Sequence, residues 1–140
     1  MVQLIVGNKG KGKTKHLLDK VNTEVQHVSG NIVYIDKSAK HMYELNNKIR
    51  LINVNDFLID NCDEFLGFIC GVISQDHDLE EMYLDSFLTI ASIDSDELLN
   101  HAIQKLDVIS EKYNVKFILS VSKDESKLTD IAKAKIVISL

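Results

Sequence analysis

Short runs of apolar residues recur along the chain and alternate with segments whose apolar residues are spaced as on one face of a helix. Continuous apolar runs of this length are typical of parallel strands that are covered on both faces. The pattern therefore predicts a sheet of about five or six strands, with candidate strands at residues 2–6, 32–35, 51–54, 82–84, 117–121 and 136–138.

Four helices are expected between these runs, because apolar residues recur there every three or four positions. Ser29-Gly30-Asn31 should end the first helix, and Asp94 with Glu97 forms a capping box that should begin the third. Strand–helix alternation of this kind predicts a doubly wound α/β fold, with a mainly parallel sheet, helices on both faces and one domain over residues 1–140. The predicted helical stripes run through residues 17–28, 58–72, 98–109 and 128–132.

One glycine-rich segment lies between the first predicted strand and the first predicted helix. It reads Gly7-Asn8-Lys9-Gly10-Lys11-Gly12-Lys13-Thr14 and fits the pattern G-x-x-x-x-G-K-[ST] at every fixed position. Glycines allow the backbone to turn tightly, so that successive N–H groups and the start of the helix face an anion. The segment therefore has the pattern of a P-loop, which predicts a binding site for the phosphates of a nucleotide.

Two side chains of this motif have expected roles in phosphate chemistry. Lys13 should reach the β- and γ-phosphates and is the candidate catalytic residue, and Thr14 should offer its hydroxyl to Mg²⁺. The lysines around them either contact phosphate or, as solvated side chains, raise the local potential. The predicted nucleotide-binding residues are Gly7, Asn8, Lys9, Gly10, Lys11, Gly12, Lys13, Thr14 and Lys15.

A carboxylate at the end of an apolar strand should complete the metal site. Asp36 follows one predicted strand directly, and Asp85 follows another. We favour Asp85 as the metal ligand, with Asp36 as the alternative. Ser120 and Ser122 end the next strand, where either can touch the terminal phosphate or a water molecule. Ser122 also stands three residues before a glutamate, which is the spacing of a helix cap.

With these features the chain resembles the nucleotide-binding core of the RecA-like P-loop ATPases, the group that includes RecA, RadA and KaiC. The resemblance implies that another strand lies between the P-loop strand and the strand that ends at Asp85. It also implies phosphate binding by Lys13 and Mg²⁺ coordination by Thr14 and Asp85. Three segments carry it: residues 7–14, Val33-Tyr34-Ile35-Asp36-Lys37-Ser38 and Met82-Tyr83-Leu84-Asp85-Ser86-Phe87.

Two departures from this family concern hydrolysis. Ser38 stands where the family has its water-activating glutamate, and Ser86 follows Asp85 where some relatives have one. The resemblance therefore implies a protein that binds ATP with Mg²⁺ and hydrolyses it weakly or with the help of a partner.

Two other functions stay open. One is a small-molecule or nucleoside kinase. Such kinases generally close a lid that brings arginines to the transferred phosphoryl group, whereas this chain has a single arginine, Arg50, and no obvious lid insertion. The other is a non-catalytic module that responds to ATP and switches a partner, which the missing glutamate favours. GTP as the ligand also stays open, although the chain has no Asn-Lys-x-Asp guanine motif.

Composition and charge narrow the class of protein further. The net charge is -5, which argues against nucleic acid as the main partner. No apolar run approaches the length of a membrane helix and the start does not read as a signal peptide, so we expect a cytoplasmic protein without a membrane partner. Cys62 and Cys70 are expected to be thiols. A second copy of the chain or another protein is the expected source of any missing catalytic charge.

Overall fold

A computed structural model describes all residues, 1–140. It contains one sheet of six strands, and every neighbouring pair runs parallel. The strands are β1 (Val2–Val6), β2 (Asn31–Asp36), β3 (Ile49–Asn53), β4 (Leu79–Leu84), β5 (Lys116–Val121) and β6 (Ile136–Ser139). The helices are α1 (Lys13–Glu24), α2 (Cys62–Ser74), α3 (Phe87–Ile90), α4 (Asp96–Tyr113) and α5 (Asp130–Lys133). This confirms the predicted α/β fold with a parallel sheet.

The strand order is β3-β2-β4-β5-β1-β6. β5 therefore lies between β1 and β4, which is the arrangement that the resemblance implies for the strand preceding Asp85. Because all strands are parallel, their carboxyl ends meet at one edge of the sheet, and this is where ligands bind in open α/β folds.

Helices cover both faces of the sheet, as predicted. On one face, α1 buries Leu17, Leu18 and Val21 against alternate strand residues such as Ile5 and Tyr34. On the other face, α2, α3, α4 and α5 bury a larger apolar cluster against the remaining strand residues, such as Leu4 and Val33. Successive strand side chains point to opposite faces, so each strand needs apolar residues at nearly every position. None of the helices combines the length and apolar composition that crossing a membrane requires.

Several predicted helix ends were wrong, and local hydrogen bonds explain each difference. α1 ends at Glu24, because the next residues form tighter turns in which His27 N–H donates to the Glu24 carbonyl. α2 begins only after Asn61, whose side chain accepts from the Glu64 N–H at 2.9 Å. Leu58, expected on its apolar face, is 97% exposed.

Two predicted caps are also replaced by neighbouring residues. Ser95 caps α4 by accepting from the Leu98 N–H at 3.1 Å, so Asp94 is not the capping residue. Ser122 caps no helix, because the turn Glu125–Lys127 is capped by Asp124. The pattern also did not predict α3, whose four residues are too few to show a helical period.

Candidate functional site

The glycine-rich segment joins β1 to α1 through a backbone that other residues adopt only with strain. Gly12 caps the start of α1 with φ +91°, in the left-handed region. Gly7 has φ +152°, and a Cβ at this position would lie 3.1 Å from both Cβ and the carbonyl oxygen of Leu140. Both positions favour glycine, because a side chain would strain the loop or press on the chain that follows β6.

Lys13, the first residue of α1, is the one buried lysine, with 7% of its surface exposed. Its Nζ donates to the carbonyl oxygen of Asn8 at 3.0 Å, so the side chain folds back over the loop that precedes it. Burial lowers the pKa of Lys13, and the nearby charge of Asp85 acts in the opposite direction. A partly desolvated ammonium group interacts more strongly with an anion than a solvated one does.

Asp85 follows β4 directly and is 2% exposed. Three hydroxyl groups donate to its carboxylate: Thr14 Oγ1 at 3.3 Å and Ser120 Oγ at 2.6 Å to Oδ1, and Tyr34 OH at 2.8 Å to Oδ2. Ser120 Oγ in turn accepts from the Ser86 N–H at 2.7 Å. Hydrogen bonds to a charged acceptor are stronger than neutral ones, so this set of donors fixes the orientation of the carboxylate. The structure thus brings together the two predicted metal ligands, Thr14 and Asp85.

Asp36, the alternative metal ligand, ends β2 and is also 2% exposed. Its Oδ1 accepts from the Lys37 N–H at 2.7 Å, whereas its Oδ2 is buried without a hydrogen-bond partner. Burial, and then the charge of Asp85, raise the pKa of Asp36. A buried acceptor without a donor costs about 1–3 kcal/mol, so a bound group that donates to it would stabilise the protein.

These side chains line one cavity of about 520 Å³ at the carboxyl ends of the strands, and none of its lining residues is hydrophobic. Ser38 lies outside the cavity, although the resemblance placed the family's glutamate at this position. Lys15 also lies outside it and pairs with Asp19 at 3.3 Å on the exposed side of α1. The lining residues are Lys9, Gly10, Gly12, Lys13, Thr14, Asp36, Lys37, Lys40, His41, Asp85, Ser86, Thr89, Ser120 and Ser122.

The predicted loop residues thus divide into two groups. One group lines the cavity, where phosphates are expected, and consists of Lys9, Gly10, Gly12, Lys13 and Thr14. Gly7, Asn8 and Lys11 do not line it, and Asn8 takes part through the carbonyl oxygen that holds Lys13.

The donor set at this site suits Mg²⁺. No group of three or more His, Cys, Asp or Glu side chains converges in the structure. Mg²⁺ commonly binds through one or two carboxylates together with substrate phosphates and water, rather than in a cage of protein ligands. The Thr14 hydroxyl and the Asp85 carboxylate supply hard oxygen ligands beside the loop, and the Asp36 carboxylate lies in the same cavity.

Two parts of the site were not predicted from the sequence. Tyr34 holds Asp85 through its hydroxyl group, although it lies within an apolar run and resembles an ordinary core residue. Lys37, Lys40 and His41 line the cavity opposite the loop, but they read as a solvated turn. The spacing of these residues in the sequence does not reveal their roles. Only the folded sheet makes β2 a neighbour of β4 and brings the end of β2 to the same edge as the loop after β1.

The arrangement places a buried ammonium group, a threonine hydroxyl group and two buried carboxylates around one cavity, and the carboxylates can accept hydrogen bonds from a water molecule or a hydroxyl group. No hydrophobic residue lines the cavity, so it offers no large apolar side chain on which a nucleotide base could pack. No model of a known protein family matches the chain, and neither does any curated protein.

Proposed function

We propose that this protein binds ATP with Mg²⁺ at its P-loop and hydrolyses it weakly or only with a partner. The observation that carries the proposal is the complete G-x-x-x-x-G-K-[ST] segment between a buried strand and a helix, with Lys13 folded over it. The N-terminus of α1 offers free backbone N–H groups and a partial positive charge to the phosphates.

Lys13 would contact the outer phosphates by exchanging its hydrogen bond to the Asn8 carbonyl for one to a phosphate oxygen. The Thr14 hydroxyl can donate its proton to Asp85 and still present a lone pair to a metal ion, because a hydroxyl group both donates and accepts. When bound, Mg²⁺ neutralises charge that develops on the β- and γ-phosphates. Thr14 and Asp85 are the residues that would hold it.

Slow hydrolysis is expected because the cavity lacks two charged groups that usually speed this reaction, a glutamate that orients water and an arginine finger. Neither position 38 nor position 86 carries a glutamate that could orient a water molecule. Arg50, the single arginine, pairs with Asp76 at 3.5 Å and does not line the cavity, so it does not act as an arginine finger within this chain. Such a finger contributes roughly 10³–10⁵ in rate. A partner protein or a second copy of the chain is the proposed source of that charge.

Thermal denaturation with Mg-ATP tests the binding proposal. A ligand that binds only the folded state stabilises it by about 2.7 kcal/mol at a hundredfold excess over Kd. For a domain of this size, the melting temperature should rise by roughly 5–15 °C. Lys13→Ala should remove most of this rise. Lys105→Ala is the matched control, since it deletes the same charge from the exposed side of α4, away from the cavity.

The nucleotide comparison sharpens the result. ATP and GTP should be tested side by side, since the preference for ATP rests on the resemblance to a family of ATPases and on the missing guanine motif. If no nucleotide raises the melting temperature at millimolar concentration with Mg²⁺, the P-loop proposal is wrong. An equal loss of the rise in Lys13→Ala and Lys105→Ala would also contradict it.

A further inference from the structure

The cavity extends well beyond the P-loop. Its lining begins at the loop after β1 and continues past the ends of β5 and β4 to the end of β2. Neighbouring strands lie about 4.8 Å apart, so three strand spacings separate β1 from β2 by roughly 14 Å. Asp36, Lys37, Lys40 and His41 lie at this distant end, and we call these four residues the far wall.

Polar contacts hold the far wall in place. Asn55 Nδ2 donates to the Lys37 carbonyl at 2.6 Å. Asn22, on α1, donates to the Glu44 carbonyl and accepts from the Asn46 N–H, both at 2.8 Å. The chain is thus anchored within the far wall at Lys37 and just beyond it at Glu44 and Asn46, and a segment anchored at both ends loses less entropy when it binds a ligand.

The far wall combines two kinds of binding group. Lys37 and Lys40 supply positive charge, while Asp36 supplies a carboxylate that is almost completely buried and has an oxygen atom without a partner. A water molecule that attacks a phosphate is neutral and gives no reason for cations at this end. A ligand with one anionic group and one hydroxyl group fits both, since the anion can pair with a lysine and the hydroxyl can donate to Asp36.

We propose that the far wall binds a second ligand beside the nucleotide, a small hydroxyl-bearing anion of the phosphate or carboxylate class. The ligand is expected to be mainly polar, because no hydrophobic residue lines the cavity. This inference rests on the proposed function, since it takes the loop end of the cavity to be filled by the nucleotide phosphates.

Isothermal titration calorimetry tests the second site. The protein is first saturated with Mg²⁺ and a non-hydrolysable ATP analogue, so that the loop end is occupied. Glycerol 3-phosphate, inorganic phosphate and neutral glycerol are then titrated at matched ionic strength, which removes general screening effects. We expect both anions to bind, glycerol 3-phosphate more tightly than inorganic phosphate, and glycerol not to bind.

Three variants assign the binding to the far wall. Lys37→Ala and Lys40→Ala should each weaken glycerol 3-phosphate binding about tenfold or more, through loss of a charge-assisted hydrogen bond. Both keep the backbone N–H groups that donate to Asp36 and Ser38. Lys48→Ala removes the same charge from the same connection between β2 and β3 but lies outside the cavity, and it should bind like the wild type.

Each other outcome overturns the inference. It fails if neither anion binds, or if all three variants bind as the wild type does. It also fails if the analogue displaces the anion, because the anion then occupies the phosphate positions of the nucleotide. Failure of the analogue itself to bind is a different result: it refutes the proposed function, and this inference with it.

Discussion

Removing one hydroxyl group tests whether Asp85 is the carboxylate of a metal site. Tyr34 is fully buried, and its OH is the single donor to Oδ2 of Asp85, at 2.8 Å. Tyr34→Phe keeps the ring, which stacks on Tyr83 with centroids 6.3 Å apart, and deletes only this donor. The variant therefore separates the orientation of Asp85 from the packing of the core.

The size of the effect follows from the charge of the acceptor. A hydrogen bond to a charged group contributes about 1.5–3 kcal/mol, and Tyr34→Phe leaves a buried carboxylate oxygen without a donor. A domain of this size loses about 4 °C in melting temperature per kcal/mol, so the ligand-free variant should melt about 6–12 °C lower. Loss of a group that orients a metal ligand typically weakens metal binding about 10–100-fold. The Tyr34→Phe variant should therefore need a much higher Mg²⁺ concentration for nucleotide binding than the wild type does.

The assay is thermal denaturation at a fixed ATP concentration with increasing Mg²⁺, where the midpoint of the rise in melting temperature reports metal affinity. Tyr83→Phe is the matched control, because its OH donates to Glu81 at 2.7 Å rather than to Asp85. Both variants should be destabilised, but only Tyr34→Phe should shift the Mg²⁺ midpoint. Equal midpoints in the two variants would refute the view that Tyr34 orients a metal ligand.

Three further predictions concern the carboxylates and the rate. Asp85→Asn should raise the Mg²⁺ requirement for ATP binding far more than Asp36→Asn does; the reverse order would make Asp36 the metal ligand. The rate of phosphate release at saturating Mg-ATP should lie well below the usual range of enzyme turnover rates, about 1–10³ s⁻¹, with Lys13→Ala as the blank. A turnover rate within that range would show that a catalytic base has been overlooked. Burial raises the pKa of Glu81, so the folded protein keeps this proton to higher pH than the unfolded chain does, and stability falls as pH rises above the ordinary value of about 4.3. Urea denaturation should therefore show Glu81→Gln gaining stability over the wild type at about pH 7 but not at about pH 4, and no gain at neutral pH would contradict this.

The fold could be predicted from the sequence because each strand of a parallel sheet covered on both faces appears as a continuous run of apolar residues. Each of the six predicted runs became a strand, and the first matches β1 at both ends. Where such a run is interrupted, the prediction was incomplete. β4 begins at Leu79, ahead of the predicted start. The prediction began too late because Glu81 interrupts the apolar run, although this residue is buried in the strand and accepts a hydrogen bond from Tyr83. A buried polar residue that has a partner looks like a surface residue in the sequence.

The candidate site could be predicted where its residues belong to one continuous segment or, as for Asp85, where a carboxylate directly follows a predicted strand. The glycine-rich segment is continuous, and its pattern singles out Lys13 and Thr14 as candidates without knowledge of the fold. The hydroxyl groups of Tyr34 and Ser120 reach Asp85 from two different strands, and only the strand order makes these contacts possible. The pattern of the sequence reveals the strands but not the order in which they pair.

That strand order also constrains the glycine-rich segment between β1 and α1. β5 separates β1 from β4, so the carboxyl end of β4 lies roughly 10 Å from that of β1. Thr14 nevertheless lies 3.3 Å from Asp85, because residues 7–12 carry the chain across this gap before α1 begins. Under the proposed function, the number of residues between Gly7 and Lys13 has to suit two distances, the width of a phosphate cradle and the separation of two strands. The positive φ angles of Gly7 and Gly12 allow the loop to turn towards β4, and under the proposed function the same turn would fold the backbone around an anion.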